Sequence, residues 1–487
     1  MVDETCWKSI YVVTLICLFD AIRMSTIGSS AWPYLNIMDA DATEEFFGYS
    51  KSISSMGNIA AVAVSGYVSN KLLNTSPLMI IGKIFALMAC VLYVSINLFP
   101  MAPRYIFLSA DVLFGISTGA VSIWRVHVAM TSTEKDRGKA FSMAGLAISS
   151  GVTFGPILML VIGYLLPRTG IKLLFSLNLT IYTIPGYLSA IGSITAIFLP
   201  GKRCIKRMST DGQFVIALEK TDSSSSLSTT SVELLKPMDK SIDYLAVCVC
   251  FLMKMTFATS IVYLMTLSSA YTMTVFKWTG PQAVFFTSLT LGLIGFMGIM
   301  CNVGYILGIL SRISERRWIL IALSLTLVFY LATYPWPFIQ GSIDYETIKN
   351  IAFINGTIST EQILVGGCNP TFGWCDTTPP INIYVYHILV VACMGTALPI
   401  GQLNLDILYS KVLGPIKQGT MQGIFIGIGD LVNMVGPALI SKIYTLYGPK
   451  PIWIFNMVVM ALCIILWLVC YSRMVPFAKR RISVEAK

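Results

Sequence analysis

Residues 137–156 read RGKAFSMAGLAISSGVTFGP, and residues 418–437 read QGTMQGIFIGIGDLVNMVGP. Each stretch opens on a polar residue and a glycine, continues as an apolar run and ends on Gly-Pro. Arg137-Gly138 precedes Gly155-Pro156, and Gln418-Gly419 precedes Gly436-Pro437, with an offset of 281 for both glycines (419 − 138 and 436 − 155). Small residues four apart, such as Gly151 and Gly155, let helices approach closely, and proline weakens the backbone ladder locally. Taken alone, either stretch reads as a packed, slightly kinked helix. Its repetition predicts a duplicated membrane bundle.

Composition points the same way. The 487 residues are 55% apolar and only 12% charged, with mean hydropathy +0.74. A soluble chain of this size needs more surface charge. Apolar runs of about 20 residues span roughly 30 Å of hydrocarbon. The fold class expected is an all-α polytopic membrane protein with twelve spans: 8–33, 47–69, 77–99, 104–127, 140–164 and 180–199, then 243–268, 282–310, 318–338, 381–409, 419–446 and 451–473. This gives an N-terminal six-helix half (1–199), a flexible cytosolic linker (200–242) and a C-terminal six-helix half (243–487). The linker holds Lys202, Arg203, Lys206, Arg207 and the serine tract Ser223–Ser226, with too few apolar residues to fold alone. The N-terminus, Met1-Val2-Asp3-Glu4, lacks a basic leader and a small-residue cleavage site, so the first apolar run is expected to be the first span.

The net charge of +10 does not indicate nucleic acid, because the basic residues sit in short loops and at the C-terminus. An even span count puts both termini, the linker and the even-to-odd loops on one side. That side carries most of the lysines and arginines, including Arg312, Arg316, Arg317, Lys479, Arg480 and Arg481, and is therefore expected to be cytosolic. The sequons at Asn178 and Asn355 fall on the far side, where glycans are added, and Asn74 falls on the cytosolic side.

Two loops resemble a signature of the major facilitator superfamily. The loop after span 2 reads Gly66-Tyr67-Val68-Ser69-Asn70-Lys71. The loop after span 8 reads Gly308-Ile309-Leu310-Ser311-Arg312, then Glu315-Arg316-Arg317. The resemblance implies that the glycines allow close helix approach and that the loop charges latch the cytosolic face. The alternative is ordinary positive-inside charge. Asn70 stands where the superfamily carries an acid, so the first latch is expected to be weak or absent. Gly151-Val152-Thr153-Phe154-Gly155-Pro156 resembles the superfamily's span-5 motif.

Ionisable residues at membrane depth cost about 3 kcal/mol or more and are normally paired or cavity-facing. Asp20 and Arg23 lie mid-span 1, three apart on one face, and can pair. They read either as part of a solute pathway or as a structural pair. Lys254 lies mid-span 7 and Asp430 mid-span 11. Asp111 lies in the outer third of span 4, in Asp111-x-x-x-Gly115-x-x-x-Gly119, which ends near Arg125. Lys254 is too deep to snorkel and is expected to face a cavity. Asp430, after Gly427 and Gly429, reads equally as a packing contact.

His127 and His387 are separated by topology, and no cluster has metal-ligand spacing. No phosphate-cradling glycine loop ending in Lys-Ser/Thr appears, so neither ATP nor another cofactor is expected. No nucleophile–base set suggests an enzyme. Cys368 and Cys375 fall in a long polar loop on the non-cytosolic side. They are expected to form a disulfide in an oxidising lumen, or to stay free thiols in a reducing or proteolytic compartment.

A narrower resemblance rests on Trp32-Pro33-Tyr34-Leu35, Ser69-Asn70, Tyr182-Thr183-Ile184-Pro185, Trp278-Thr279-x-x-Gln282-Ala283-Val284 and Cys368-x6-Cys375. It is strongest in Leu408-Tyr409-Ser410-Lys411-Val412-Leu413-Gly414-Pro415-x-x-Gln418-Gly419. These residues resemble a lysosomal branch of the superfamily linked to neuronal ceroid lipofuscinosis. That resemblance implies an endolysosomal, lumenally glycosylated membrane protein connected with chloride permeation, with the plasma membrane as the alternative location. Glu233-Leu234-Leu235 is only a partial acidic dileucine signal. The expected function is transport or facilitated permeation of a small, anionic solute, with the lipid bilayer as the other partner. A chloride channel on the same fold and a non-transporting scaffold or receptor are the rivals. Arg23 and Lys254 would supply positive charge, and Asp20, Asp111 and Asp430 would gate or couple protons.

Overall fold

A computed structural model describes residues 5–39, 42, 44–72, 74–98, 103–165, 171–172, 178–180, 182–198, 243–278, 280–345, 347–352, 360–365, 367–369, 372–414, 416 and 418–477. The helices are α1 (Trp7–Met38), α2 (Glu44–Leu72), α3 (Ser76–Val94), α4 (Pro103–Val121), α5 (Trp124–Thr131), α6 (Arg137–Leu165) and α7 (Ile184–Phe198). They continue as α8 (Tyr244–Phe276), α9 (Gly280–Ile306), α10 (Glu315–Ala332), α11 (Ile383–Leu389), α12 (Gly395–Leu413), α13 (Gly419–Tyr447) and α14 (Pro449–Val469). Two antiparallel hairpins stand outside the helical body: β1 (Ile171–Lys172) with β2 (Asn178–Leu179), and β3 (Thr347–Ala352) with β4 (Thr360–Val365), where Thr347 lies opposite Val365. The expected linker, 200–242, lies outside the described residues.

Among the described residues, nine stretches are long and apolar enough to cross a bilayer, and Ile184–Phe198 is a shorter apolar helix. α2 falls short because Ser52, Ser54, Ser55 and Asn58 lower its hydropathy, and α10 because it opens on Glu315-Arg316-Arg317. Two expected spans differ in detail. Span 4 is broken between α4 and α5, and span 10 is α11 and α12 joined through a π-helical turn at Val390–Met394. A π turn inserts one extra residue and re-aims the side chains on either side.

Local sequence sets several helix ends. The Asp243 side chain accepts from the Ala246 N–H at 3.2 Å, and Asn382 Oδ1 accepts from the N–H groups of Tyr384 and Val385 at 2.9 and 3.3 Å. Both satisfy backbone donors that a helix start leaves open. Gly448 takes φ +76°, a left-handed conformation that suits glycine, and Pro449 then opens α14.

The duplicated helices make equivalent contacts. α6 lies on α1: a Cβ at Gly151 would stand 2.6 Å from Ala21 Cβ, and one at Gly155 would collide with Ser25 Oγ. Ser25 Oγ donates to the Gly151 carbonyl across this seam at 3.0 Å. In the second copy α13 lies on α8, with Gly436 against Val262. One buried core is built entirely from residues after Tyr244, around Trp453, Trp467, Tyr263 and Tyr330. Two more are built on α1 and α3–α7, one of them reaching Tyr305, Leu403 and Ile407. Large apolar side chains such as Phe154 and Val161 of α6, and Phe455, Leu462 and Ile465 of α14, remain exposed. In a bilayer these are lipid contacts.

Candidate functional site

α2 and α4 run side by side at very close range. Gly115 and Gly119 face the Ser54 and Asn58 carbonyls so tightly that no Cβ fits at either position. This seam carries Asp111 onto α2 one turn away. Ser50 Oγ donates to Asp111 Oδ2 at 2.9 Å and Lys51 Nζ to Asp111 Oδ1 at 2.7 Å. Beside the seam opens a cavity of about 230 Å³, whose lining includes Arg23, Lys51, Asp111, Thr118, Ser55 and Asn58.

Behind that cavity is a buried charge cluster. Arg23 Nη2 donates to Asp20 Oδ1 at 3.0 Å and to Thr118 Oγ1 at 2.8 Å. Lys83 Nζ of α3 reaches the same Asp20 oxygen at 2.9 Å. Asp20, Arg23 and Lys83 are all buried. The guanidinium also lies 5.0 Å from the Phe114 ring centroid, an arrangement favourable for a desolvated cation.

A second cluster has the same composition. Arg125 Nε of α5 donates to Asp406 Oδ2 of α12 at 3.0 Å. Lys254 Nζ of α8 stands 3.6 Å from Asp406 Oδ1, bonds Gln402 Oε1 at 2.8 Å and lies 5.0 Å from the Phe425 ring centroid. Asp406 Oδ1 is buried with no hydrogen-bond partner among the described residues. The sequence places Lys254 at depth but does not provide its acid. Asp406 escapes notice because it lies close to the basic end of span 10. Lys83 escapes because a lone lysine near the basic end of span 3 reads as a snorkelling residue. For Asp406 a signal exists: it stands 281 residues after Arg125, the offset of the duplicated helix.

The end of the bundle that holds the start of α1 and the end of α14 is closed by several contacts between α1–α7 and α8–α14. Gly66 and Gly419 meet backbone to backbone, where a Cβ at Gly66 would lie 2.6 Å from the Gly419 carbonyl oxygen. Asn70 Oδ1 accepts from the Gly419 N–H at 2.9 Å, and Asn70 Nδ2 donates to Thr420 at 2.7 Å. The amide thus bridges α2 and α13 without a charge. It fits the first turn of α13, where helix N–H groups seek acceptors. Arg137 donates to the Ser410 carbonyl at 3.4 Å, and Asn302 to Ser149 at 3.4 Å.

Other expected residues make no ion pair with these clusters among the described residues, although Asp430 interacts electrostatically with Lys254 and Arg125. Lys71 lies over Tyr67 of its own helix. Gly308 takes φ +79°, Arg312 is exposed, and Arg316 bonds the Tyr471 carbonyl at 3.1 Å, tying α10 to α14. Asp430 is half-buried, with Asn433 Nδ2 at 3.4 Å. Pro156 and Pro437 lie inside α6 and α13. Cys368 and Cys375 are joined by a disulfide, and the neighbouring Trp374 packs on Gly448. Asn178 lies in β2, while Asn355 and the Glu233-Leu234-Leu235 signal lie outside the described residues.

Comparison with known proteins fits this architecture. The Major Facilitator Superfamily profile matches residues 14–360. Major facilitator superfamily domain-containing protein 8 of Xenopus laevis is 26% identical over 488 residues, covering 97% of this chain and 93% of that protein. Solved structures with the same fold include the human organic anion transporter MFSD10 (TETRAN), at 16% identity and TM-score 0.58, covering 95% of this chain and 99% of that one. The proton:xylose symporter XylE matches at 14% identity and TM-score 0.62, covering 97% and 96%. The profile match spans most of a chain built from bilayer-length helices, and the chain therefore belongs to the Major Facilitator Superfamily, as a multi-pass membrane transport protein rather than an enzyme.

Proposed function

We propose that the protein moves a small anionic solute across the endolysosomal membrane by alternating access. The two six-helix halves, 1–199 and 243–487, rock about the pathway, and 200–242 joins them on the cytosolic side. The observation carrying the anionic reading is the charge count of the two buried clusters. Each places two cations on one bonded carboxylate: Arg23 and Lys83 with Asp20, and Arg125 and Lys254 with Asp406, the second pair also feeling Asp430 at longer range. A surplus buried cation is costly at membrane depth and is relieved by an incoming anion. Asp111 and Asp430 are the carboxylates placed to gate or to couple protons. The endolysosomal assignment rests on the likeness to the domain-containing protein 8 relative.

A transporter is favoured over a chloride channel because the Gly66–Gly419 and Asn70–Gly419 contacts close one end of the bundle. The deciding experiment measures anion uptake and current together, in proteoliposomes and in enriched lysosomes with and without the protein, across a chloride and pH series. Saturable anion uptake without macroscopic current supports the transporter. Macroscopic chloride current identifies a channel. Neither signal, from correctly inserted protein, leaves a scaffold or receptor.

A further inference from the structure

Arg125 is only partly engaged by the protein. Its Nε holds Asp406, and its plane lies 4.5 Å from the Trp124 ring centroid, but its two Nη groups bond no protein atom among the described residues. Its side chain keeps 20% of its exposure, more than Lys254 (9%) or Asp406 (8%). The guanidinium therefore presents an open pair of N–H donors, the edge that binds a carboxylate or similar oxyanion in two-point fashion. Lys254 is likewise held loosely by its acid, at 3.6 Å rather than at hydrogen-bond distance. Arg125 lies seven residues beyond Thr118, the cavity residue that bonds Arg23, across the break between α4 and α5 and toward the closed end.

We propose that Arg125 and Lys254 form an anion site beneath the Arg23 cavity, and that Asp406 is the internal carboxylate the solute must displace. This rests on the anionic reading above and goes beyond it by assigning the contacts. The ligand class is a small oxyanion, with a carboxylate matching the open Arg125 edge better than a halide. Arg125 belongs to the first group of helices, while Asp406 and Lys254 belong to the second. A solute that takes Arg125 away from Asp406 loosens the Arg125–Asp406 link that helps to close the bundle. Asp406 then falls to Lys254 on its own group of helices. Binding and opening are thereby exchanged at one carboxylate.

The test reads anion binding directly, so it does not depend on transport. Full-length protein in detergent is titrated with lactate, phosphate and chloride, and the half-saturating concentration is taken from thermal stabilisation. Removing the competitor with Asp406→Asn is expected to lower the lactate value about tenfold, while Arg125→Gln abolishes the response. Arg125→Lys keeps the charge but loses the forked donors, and is expected to raise the lactate value about tenfold with less effect on chloride. It also supplies the reading if Asp406→Asn does not fold. An unchanged lactate value in Asp406→Asn, or in Arg125→Lys, overturns the proposal. If these variants behave as expected while proteoliposomes take up no anion, the site stands and the transport reading fails.

Discussion

Arg125 and Asp406 occupy equivalent places in the two copies of an internal repeat, and they are bonded to each other: Arg125 Nε donates to Asp406 Oδ2 at 3.0 Å across a separation of 281 residues. The connections from α5 to α6 and from α12 to α13 have the same length, Thr131 to Arg137 and Leu413 to Gly419, and their ends are offset by 282 (413 − 131 and 419 − 137), within one residue of the offset of this pair. The opposite charges of Arg125 and Asp406 link α5 to α12. Gly66 and Gly419 add a second link of a different kind, made of backbone contact rather than charge.

The Asp20 cluster makes a folding prediction. Asp20→Asn leaves Arg23 and Lys83 buried side by side with no acid between them. Breaking a buried pair this way costs about 3–5 kcal/mol. The expected outcome is loss of membrane-inserted, monodisperse protein, read as yield and melting temperature. Asp20→Asn/Lys83→Met removes one of the stranded cations and should recover much of the loss. Equal yields for the single and double variants would show that Lys83 does not share the carboxylate.

The α2–α13 contact makes a gating prediction. A methyl group at Gly66 has no room against the Gly419 carbonyl. Gly66→Ala should force the helices apart at a cost of about 1–3 kcal/mol, the range for overpacking. The expected readout is faster alkylation of a cysteine introduced at Ile407, which is fully buried near this end. Asn70→Ala should act in the same direction through loss of its two hydrogen bonds to α13, and Asn70→Asp should keep the bond from the Gly419 N–H. Alkylation at the wild-type rate in Gly66→Ala would show that the contact does not hold this end closed.

The α2–α4 seam makes a positional prediction. Gly115→Leu cannot be accommodated beside the Ser54 carbonyl. It should shift α4 and separate Asp111 from Ser50 and Lys51, which hold it at 2.9 and 2.7 Å. Solute uptake per inserted molecule should fall about as far as in Asp111→Asn. Normal uptake in Gly115→Leu would remove Asp111 from the pathway.

What was readable in the sequence follows from how each feature is encoded. The duplicated Gly-Pro helix and the Asp20–Arg23 pair are local patterns, one repeated along the chain and one within a single helical turn. Bilayer-length apolar runs are equally local, and α2 departs from them where Ser54, Ser55 and Asn58 face α4 and the cavity. Lys83 and Asp406 depend on contacts between distant helices, 63 residues apart for Lys83 and Asp20. Each lies toward the basic end of its span, where a charge reads as an anchor at the membrane surface. Asn70 was readable only as the loss of an acid, because its partners in α13 lie 349 and 350 residues away.

Lys254 separates transport from folding most cleanly. Its ammonium is the second cation on Asp406, beside Arg125, and faces Asp430 only at longer range. Lys254→Ala therefore leaves the bonded Arg125–Asp406 pair intact and withdraws only the longer-range attraction on Asp430, unlike Asp406→Asn, which leaves two cations without their bonded acid. Gln402 loses a donor, at a cost of about 1–3 kcal/mol if its oxygen stays unsatisfied, and a second change, Gln402→Leu, removes that term. Melting temperature in Lys254→Ala/Gln402→Leu should stay close to wild type. Anion uptake should nevertheless fall roughly 10–100-fold, the equivalent of losing one charged hydrogen bond of about 1.5–3 kcal/mol to the solute. Wild-type uptake in that variant would remove Lys254 from the solute path, and a fall in uptake matched by a fall in folded protein would make its role structural.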